Sequence, residues 1–164
     1  MARSGSFGLN IKKTWTSTTP IPEHKLGDLG TDIHGEYVYV TASAAISQYD
    51  FVLISSTFTA APLTTTNAST TAQYVGVAQI AFANGESGWV WIGGPAGGGV
   101  GTGIKGNVSA AVTIASIVYT TATAGQVSNT SASTVKIQNV SPTAATAAAG
   151  SVELRSFGYL SVNA

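Results

Sequence analysis

The chain has 164 residues, seven basic and seven acidic side chains that cancel, and no cysteine. Charged residues make up 9% of it, against roughly 25% in soluble domains generally. This length suits one folded unit, and the composition excludes disulfides, thiolate zinc sites and cysteine nucleophiles. No segment concentrates Lys or Arg as a phosphate-tracking stripe would, so no nucleic-acid partner is expected. "MARSGSFGLNIKK" lacks the apolar stretch of a secretory signal, and no later segment offers roughly 18 apolar residues in a row. Neither export by that route nor a membrane partner is expected.

The first 36 residues hold more than half of the charged side chains (Arg3, Lys12, Lys13, Glu23, Lys25, Asp28, Asp32, Glu36) and both histidines. Pro20, Pro22 and several glycines interrupt this segment, and neither a 3.6-residue nor a 2-residue period is sustained. It reads as an extended N-terminal arm over 1–36. Its apolar residues Phe7, Leu9, Ile11 and Trp15 are spaced so that an extended chain could seat them in pockets of another surface. An arm carrying Trp and Phe is expected to be docked.

From Tyr37 the texture is β. "EYVYVTASAAI", "DFVLISS", "YVGVAQIAF", "GWVWIGG", "TIASIVYT", "STVKIQNV", "SVELRS" and "FGYLSV" are short stretches rich in Val, Ile, Thr and aromatics, bounded by Gly, Asn, Ser and Pro. Many short strands at regular spacing predict an all-β sandwich or barrel over 37–164. The Ala-rich "SAAVTIAS" and "SPTAATAAAG" have β-branched neighbours and no apolar residues at helical spacing, so they are not read as helices.

The body divides into two similar halves, 37–104 and 105–164. "VTASAAI", "FVLI", a polar loop, "YVGVAQ" and "GWVWI" in the first correspond to "VSAAVTI", "IVYT", a loop, "VKIQNV" and "GSVEL" in the second. Val75 to Gly88 and Ile137 to Gly150 are equally spaced, which predicts one register for the later strands. The loop "FTAAPLTTTNASTTAQ" is the longer of the two, where a duplicated unit tolerates length.

Chemical motifs are sparse. In "GGPAGGGVGTGIKG", Gly101, Gly103 and Gly106 match G-x-G-x-x-G, but the following "NVSAAVTIASIVYT" is β-branched, and no acid comes until Glu153. A pyrophosphate cradle needs the helix and the acid, so the segment reads as a flexible connection between the halves and no cofactor is expected. Asp32, His34 and Glu36 alternate and would share one face of a strand, making them weak candidates for metal ligands. The competing reading is a polar edge strand. With two histidines, no nucleophile elbow and isolated acids at Asp50, Glu86 and Glu153, an enzyme is not expected.

"GWVWIGG" places Trp89 and Trp91 on one face of a strand and Val90 and Ile92 on the other. Both faces are then apolar, as in a strand of the core or of a subunit interface.

The strings "VTASAAISQYDFVLI", "YVGVAQIAFANGESGWVWIGG" and "VSAAVTIASIVYTTATAGQV" resemble the capsid decoration, or cement, proteins of tailed bacteriophages. The resemblance implies a structural virion protein on the outer capsid surface that binds the major capsid protein and forms a homo-oligomer, with a trimer favoured. It implies that the arm, through Phe7, Leu9, Ile11, Lys12, Lys13 and Trp15, lies on the shell. The alternative from composition is a phage fibre or cell-surface module that binds carbohydrate through Thr, Ser and Asn loops and exposed Trp.

Overall fold

The computed structural model describes residues 9–16, 24–69, 74–94, 103–131 and 135–163. Two short strands, β1 (Leu29–Asp32) and β2 (Gly35–Ala42), make a hairpin. They are followed by β3 (Phe51–Ile54), β4 (Thr59–Pro62), the one-turn helix α1 (Thr65–Ala68), β5 (Tyr74–Ala78) and β6 (Ser87–Gly93). The second half contributes β7 (Lys105–Val108), β8 (Val118–Thr120), β9 (Val127–Ser128), β10 (Lys136–Pro142) and β11 (Gly150–Asn163). All belong to one 11-stranded sheet.

The two halves repeat one circuit of pairings. In the first, β2 runs parallel to β4 and antiparallel to β6, β3 is antiparallel to β4 and β5, and β5 is antiparallel to β6. In the second, β7 runs parallel to β9 and antiparallel to β11, β8 is antiparallel to β9 and β10, and β10 is antiparallel to β11. Pairing round a circuit leaves few open edges. Among the described strands, β1 alone has a single partner.

Local details repeat with the topology. The bridge Ile46↔Phe82 has its counterpart in Val112↔Thr146. Ser43 donates its N–H and its hydroxyl to the Ala60 carbonyl, as Ser109 does to that of Val127. The Tyr49 N–H donates to Ala78 O and the Ala115 N–H to Pro142 O. Left-handed backbone occurs at Tyr49 (φ 69) and at its equivalent Ala115 (φ 59), and again at Phe58 (φ 59) and its equivalent Gly125 (φ 74). The all-β body built from two similar halves is thus visible in its pairing, its hydrogen bonds and its backbone angles.

Several boundaries differ from the sequence reading. Strand β1 and the start of β2 lie before residue 37, so the body begins inside the segment read as arm. "TIASIVYT" has only its last three residues in β8, because Ser116 closes a tight turn onto Thr113 ahead of them. The polar loop of the first half contains β4 and α1, the helix opened by Thr64 and Asn67 in a reciprocal capping box. "SVELRS" and "FGYLSV" are one 14-residue strand. Its partner β10 shifts register between Gln138 and Val140, with Asn139 at φ 62, and this bulge absorbs chain length. Gly88, opposite Val40, corresponds to Val152, opposite Gly106, and not to Gly150.

The apolar core has two parts that meet across β2 and β6. Val38, Val40, Val90 and Ile92 join Ile46, Val52, Ile54 and Phe82 in a cluster made of first-half residues. Tyr37, Tyr39, Trp89 and Trp91 face the other way into a larger cluster with Phe51, Leu154, Leu160 and second-half valines. Alternation along a strand produces this division.

At the junction of the halves, Asp50 is 6% exposed. Its carboxylate accepts from the Ser47 N–H at 2.8 Å and from Asn107 Nδ2 at 3.0 Å. Asn107 Nδ2 also donates to Gln48 O at 2.9 Å, and its backbone N–H donates to Tyr49 O at 2.8 Å. Phe51 N–H donates to Gly125 O at 2.8 Å, and Gly125 N–H to Leu63 O at 2.9 Å. The side-chain amide of Gln79 clasps Lys105, donating to its carbonyl at 3.0 Å and accepting its N–H at 3.2 Å. A side chain at Gly125 would fall on the Asp50 carboxyl group, so close approach as well as a positive φ requires glycine there.

Gly103 shares the φ of 74, but among the described residues beyond its chain neighbours a methyl group there would meet no atom within 4 Å. Gly103→Ala should therefore cost only the left-handed strain, about 1–2 kcal/mol. Gly125→Ala should cost about 2 kcal/mol more, as breaking a packed polar contact does. Urea unfolding of both variants checks this, and equal losses would contradict the junction.

Candidate functional site

The described part of the N-terminal segment is seated on the chain's own body. Trp15 forms a two-way bridge with Ser87, donating at 2.8 Å and accepting at 2.7 Å. Its ring is 4% exposed and meets Tyr39 edge-on, with centroids 5.7 Å apart, and His24 at 6.3 Å. His24 in turn lies 4.8 Å from Trp89 and 5.4 Å from Tyr39, and Tyr39 lies 5.3 Å from Trp89. Edge-to-face rings at these distances add to area burial, so the four rings form one continuous seat.

Of the residues expected to reach a capsid, Leu9 and Ile11 are half-buried against this core and Trp15 belongs to it. Lys12 and Lys13 are exposed, with Lys13 Nζ 5.0 Å above the Trp15 ring. Phe7 lies outside the described residues. Trp15, which from its spacing was expected to serve another surface, holds the segment to its own. A bulky ring lowers its free energy wherever apolar surface is nearest, and Tyr39 and Trp89 supply that surface in the same chain.

Trp89 and Trp91 are 3% and 0% exposed. They stand in the core, and neither offers a face on which a sugar ring could stack. Among the described residues, the exposed aromatics are Tyr74, Phe157 and Tyr159, which carried no distinguishing pattern because Phe157 and Tyr159 flank Gly158 in what looked like a strand boundary.

Asp32, His34 and Glu36 do not share a strand face. Asp32 ends β1 and Glu36 lies in β2, with a turn at Ile33 and His34 between them. Asp32 accepts the His34 N–H at 2.7 Å, His34 O accepts from Trp91 Nε1 at 2.9 Å, and Glu36 accepts from the Tyr159 hydroxyl at 2.6 Å. Each acid has a structural partner. Among the described residues, no group of three or more His, Asp or Glu is gathered to hold a metal.

The fingerprint glycines also separate. Gly101 and the connection 95–102 lie outside the described residues, Gly103 is exposed, and Gly106 is buried within strand β7. Phosphate binding by that motif needs a helix after the glycines, and a strand stands there instead.

Burial, chiefly, raises the Tyr37 phenol well above its ordinary range, and the nearby Asp32 carboxylate adds to the effect. Sequence reasoning missed this pair because burial of the β2 face was not fixed until β6 and β11 were paired. It also missed Asp50 and Asn107. Setting "SQYDF" beside "TIASI" would have marked them, since the duplicate lacks Asp.

Comparison with family models, with curated proteins and with solved structures finds no match to this chain.

Two outcomes follow from this geometry. Trp15→Ala should loosen the segment while the body stays folded, so that trypsin cleaves after Lys12 and Lys13 at least about tenfold faster, the effect of losing ~1.4 kcal/mol of docking. Unchanged cleavage would contradict the seat. For Tyr37, a phenol raised in the folded state keeps its full stabilising effect below the unfolded value of about 10 and loses it as pH rises further. The melting temperature should thus fall more steeply between about pH 9 and 11 for the native chain than for Tyr37→Phe. Parallel curves would contradict burial of the phenol.

Proposed function

We propose that this chain is a structural virion protein that decorates and stabilises a bacteriophage capsid by binding the outer surface of the major capsid lattice. The observation that carries the reading is the duplicated unit. "VTASAAISQYDFVLI" and "VSAAVTIASIVYT", the strings that resemble decoration proteins, occupy equivalent strand, bridge and turn positions in the two halves. The hydroxyl-rich body with few charges suits close packing on a crowded shell. Trp15 fixes one end of the N-terminal segment and Leu9 and Ile11 pack on the same core, so the contact with the shell falls to exposed Lys12 and Lys13 and to the residues ahead of Leu9, Phe7 included. A segment tethered this close to its target spends less of its binding free energy on ordering.

Burial of Trp89 and Trp91 removes the best support for carbohydrate stacking, and no observation favours that reading over decoration. Full-length protein mixed with expanded capsids of its own virus should co-sediment to saturation. Lys12→Glu with Lys13→Glu should weaken binding at least about tenfold, or ~1.4 kcal/mol. Absence of saturable binding by the native chain, or binding to glycans alone, would overturn the proposal.

A further inference from the structure

We propose that the outer face of β11 binds carbohydrate, stacking a β-linked pyranose chain on Phe157 and Tyr159. Alternation along the strand turns Arg155, Phe157, Tyr159 and Ser161 outward, while Leu154, Ser156 and Leu160 are buried. Ser161 is paired with Tyr74 of β5, and directly opposed residues share a face. Tyr74, Phe157 and Tyr159, exposed by 63%, 65% and 45%, therefore lie on one surface. Among the described residues, every exposed aromatic side chain is gathered there.

The two central rings are held in place by the chain itself. The Tyr159 hydroxyl donates to Glu36 Oε2 at 2.6 Å, and the Tyr159 carbonyl accepts from Asn139 Nδ2 at 2.9 Å. The Arg155 guanidinium lies 4.9 Å from the centroid of the Phe157 ring, and its Nε donates to Ser141 Oγ at 3.2 Å. Ordering large exposed side chains is normally a cost of binding. Here the contacts within the chain already meet part of it.

The chemistry of the face selects the ligand. The core of a protein-docking surface is depleted in charge and strongly apolar, whereas the exposed aliphatic side chains of this protein, Leu26, Leu29, Ile33, Ile114 and Ile117, belong to other segments. Around these rings stand a carboxylate, an amide, a hydroxyl and a guanidinium, from Glu36, Asn139, Ser161 and Arg155. Arg155 and Glu36 carry opposite charges, which suits a neutral ligand and gives a phosphate chain nothing to track. A β-linked pyranose meets both conditions. Its ring carbons offer a flat C–H face to an aromatic ring, and its equatorial hydroxyls bond polar groups at the rim. Two residues apart on one strand, Phe157 and Tyr159 are separated by about 7 Å, so neighbouring sugars of one chain reach both.

This site adds a ligand to the body without bearing on where the body is mounted. It stands whether or not the chain decorates a shell.

Titration calorimetry of the full-length protein with cellotetraose and with chitotetraose, up to about 10 mM so that millimolar affinities register, tests it. At least one of these sugars should bind saturably. Phe157→Ala with Tyr159→Ala should weaken that binding at least about tenfold with an unchanged circular dichroism spectrum, and Ile114→Ala with Ile117→Ala, changed at exposed apolar positions elsewhere, should bind as the native chain does. Should the aromatic double variant fail to fold, Phe157→Ala alone, which leaves the Tyr159–Glu36 bond in place, should still weaken binding at least about threefold. Failure of both sugars to bind the native chain, or undiminished binding by the aromatic variants, overturns the proposal. Capsid binding that is lost in those variants, with no sugar bound by the native chain, would make the face a protein contact and counts equally against it.

Discussion

A buried carboxylate between two β units needs hydrogen bonds from both, and Asp50 takes them from Ser47 in its own turn and from Asn107 across the junction. The arrangement is demanding because each part constrains the next. Asn107 must lie at the β7 edge, Gly125 must leave room for the carboxyl group, and Phe51 must pass over Gly106. A charge this buried is costly if its partners move, so the junction fixes the relative placement of the halves. With the halves placed, β11 reaches past its own circuit to pair with β5 and β6. The larger core is thereby shared between both units.

That shared core explains where the N-terminal segment lies. The face of β6 turned to this core presents Trp89 beside Tyr39 and His24, and Trp15 completes the group by bridging to Ser87 at the start of the same strand. The segment is thus part of the fold from Leu9 onward, with Lys12 and Lys13 exposed along it. On the proposed decoration reading, the body would be a rigid base and the short charged stretch next to it the contact.

Much of the architecture was legible in the sequence. Alternation in "GWVWI" showed that both faces of β6 are apolar, and the structure places Trp89 and Trp91 in one cluster and Val90 and Ile92 in the other. The duplication was visible in the small-residue stretches that become the bridges at Ile46 and Val112. Strand limits were less legible because tight turns with positive φ fall on Tyr49, Phe58 and Ala115, residue types that signal strand or helix more readily than turn. The Asp32–Glu36 alternation misled for a related reason: a hairpin turn without the usual Asn-Gly or Asp-Gly pair interrupts it. The site residues were hardest to find, since Trp15 reads the same whether it is seated on its own body or on a partner.

Duplication also creates an asymmetry that neither half shows alone. One copy of the turn is covered by its neighbour, while the other presents Ile114 and Ile117 to solvent. The central claim is the proposed place on a capsid shell, and imaging phage particles produced from the source of this chain tests it most directly. Electron cryomicroscopy of virions should show density for the two β units outside the major capsid lattice, with the N-terminal segment toward it. Density confined to the tail or fibres, or a bare outer shell, would contradict the account.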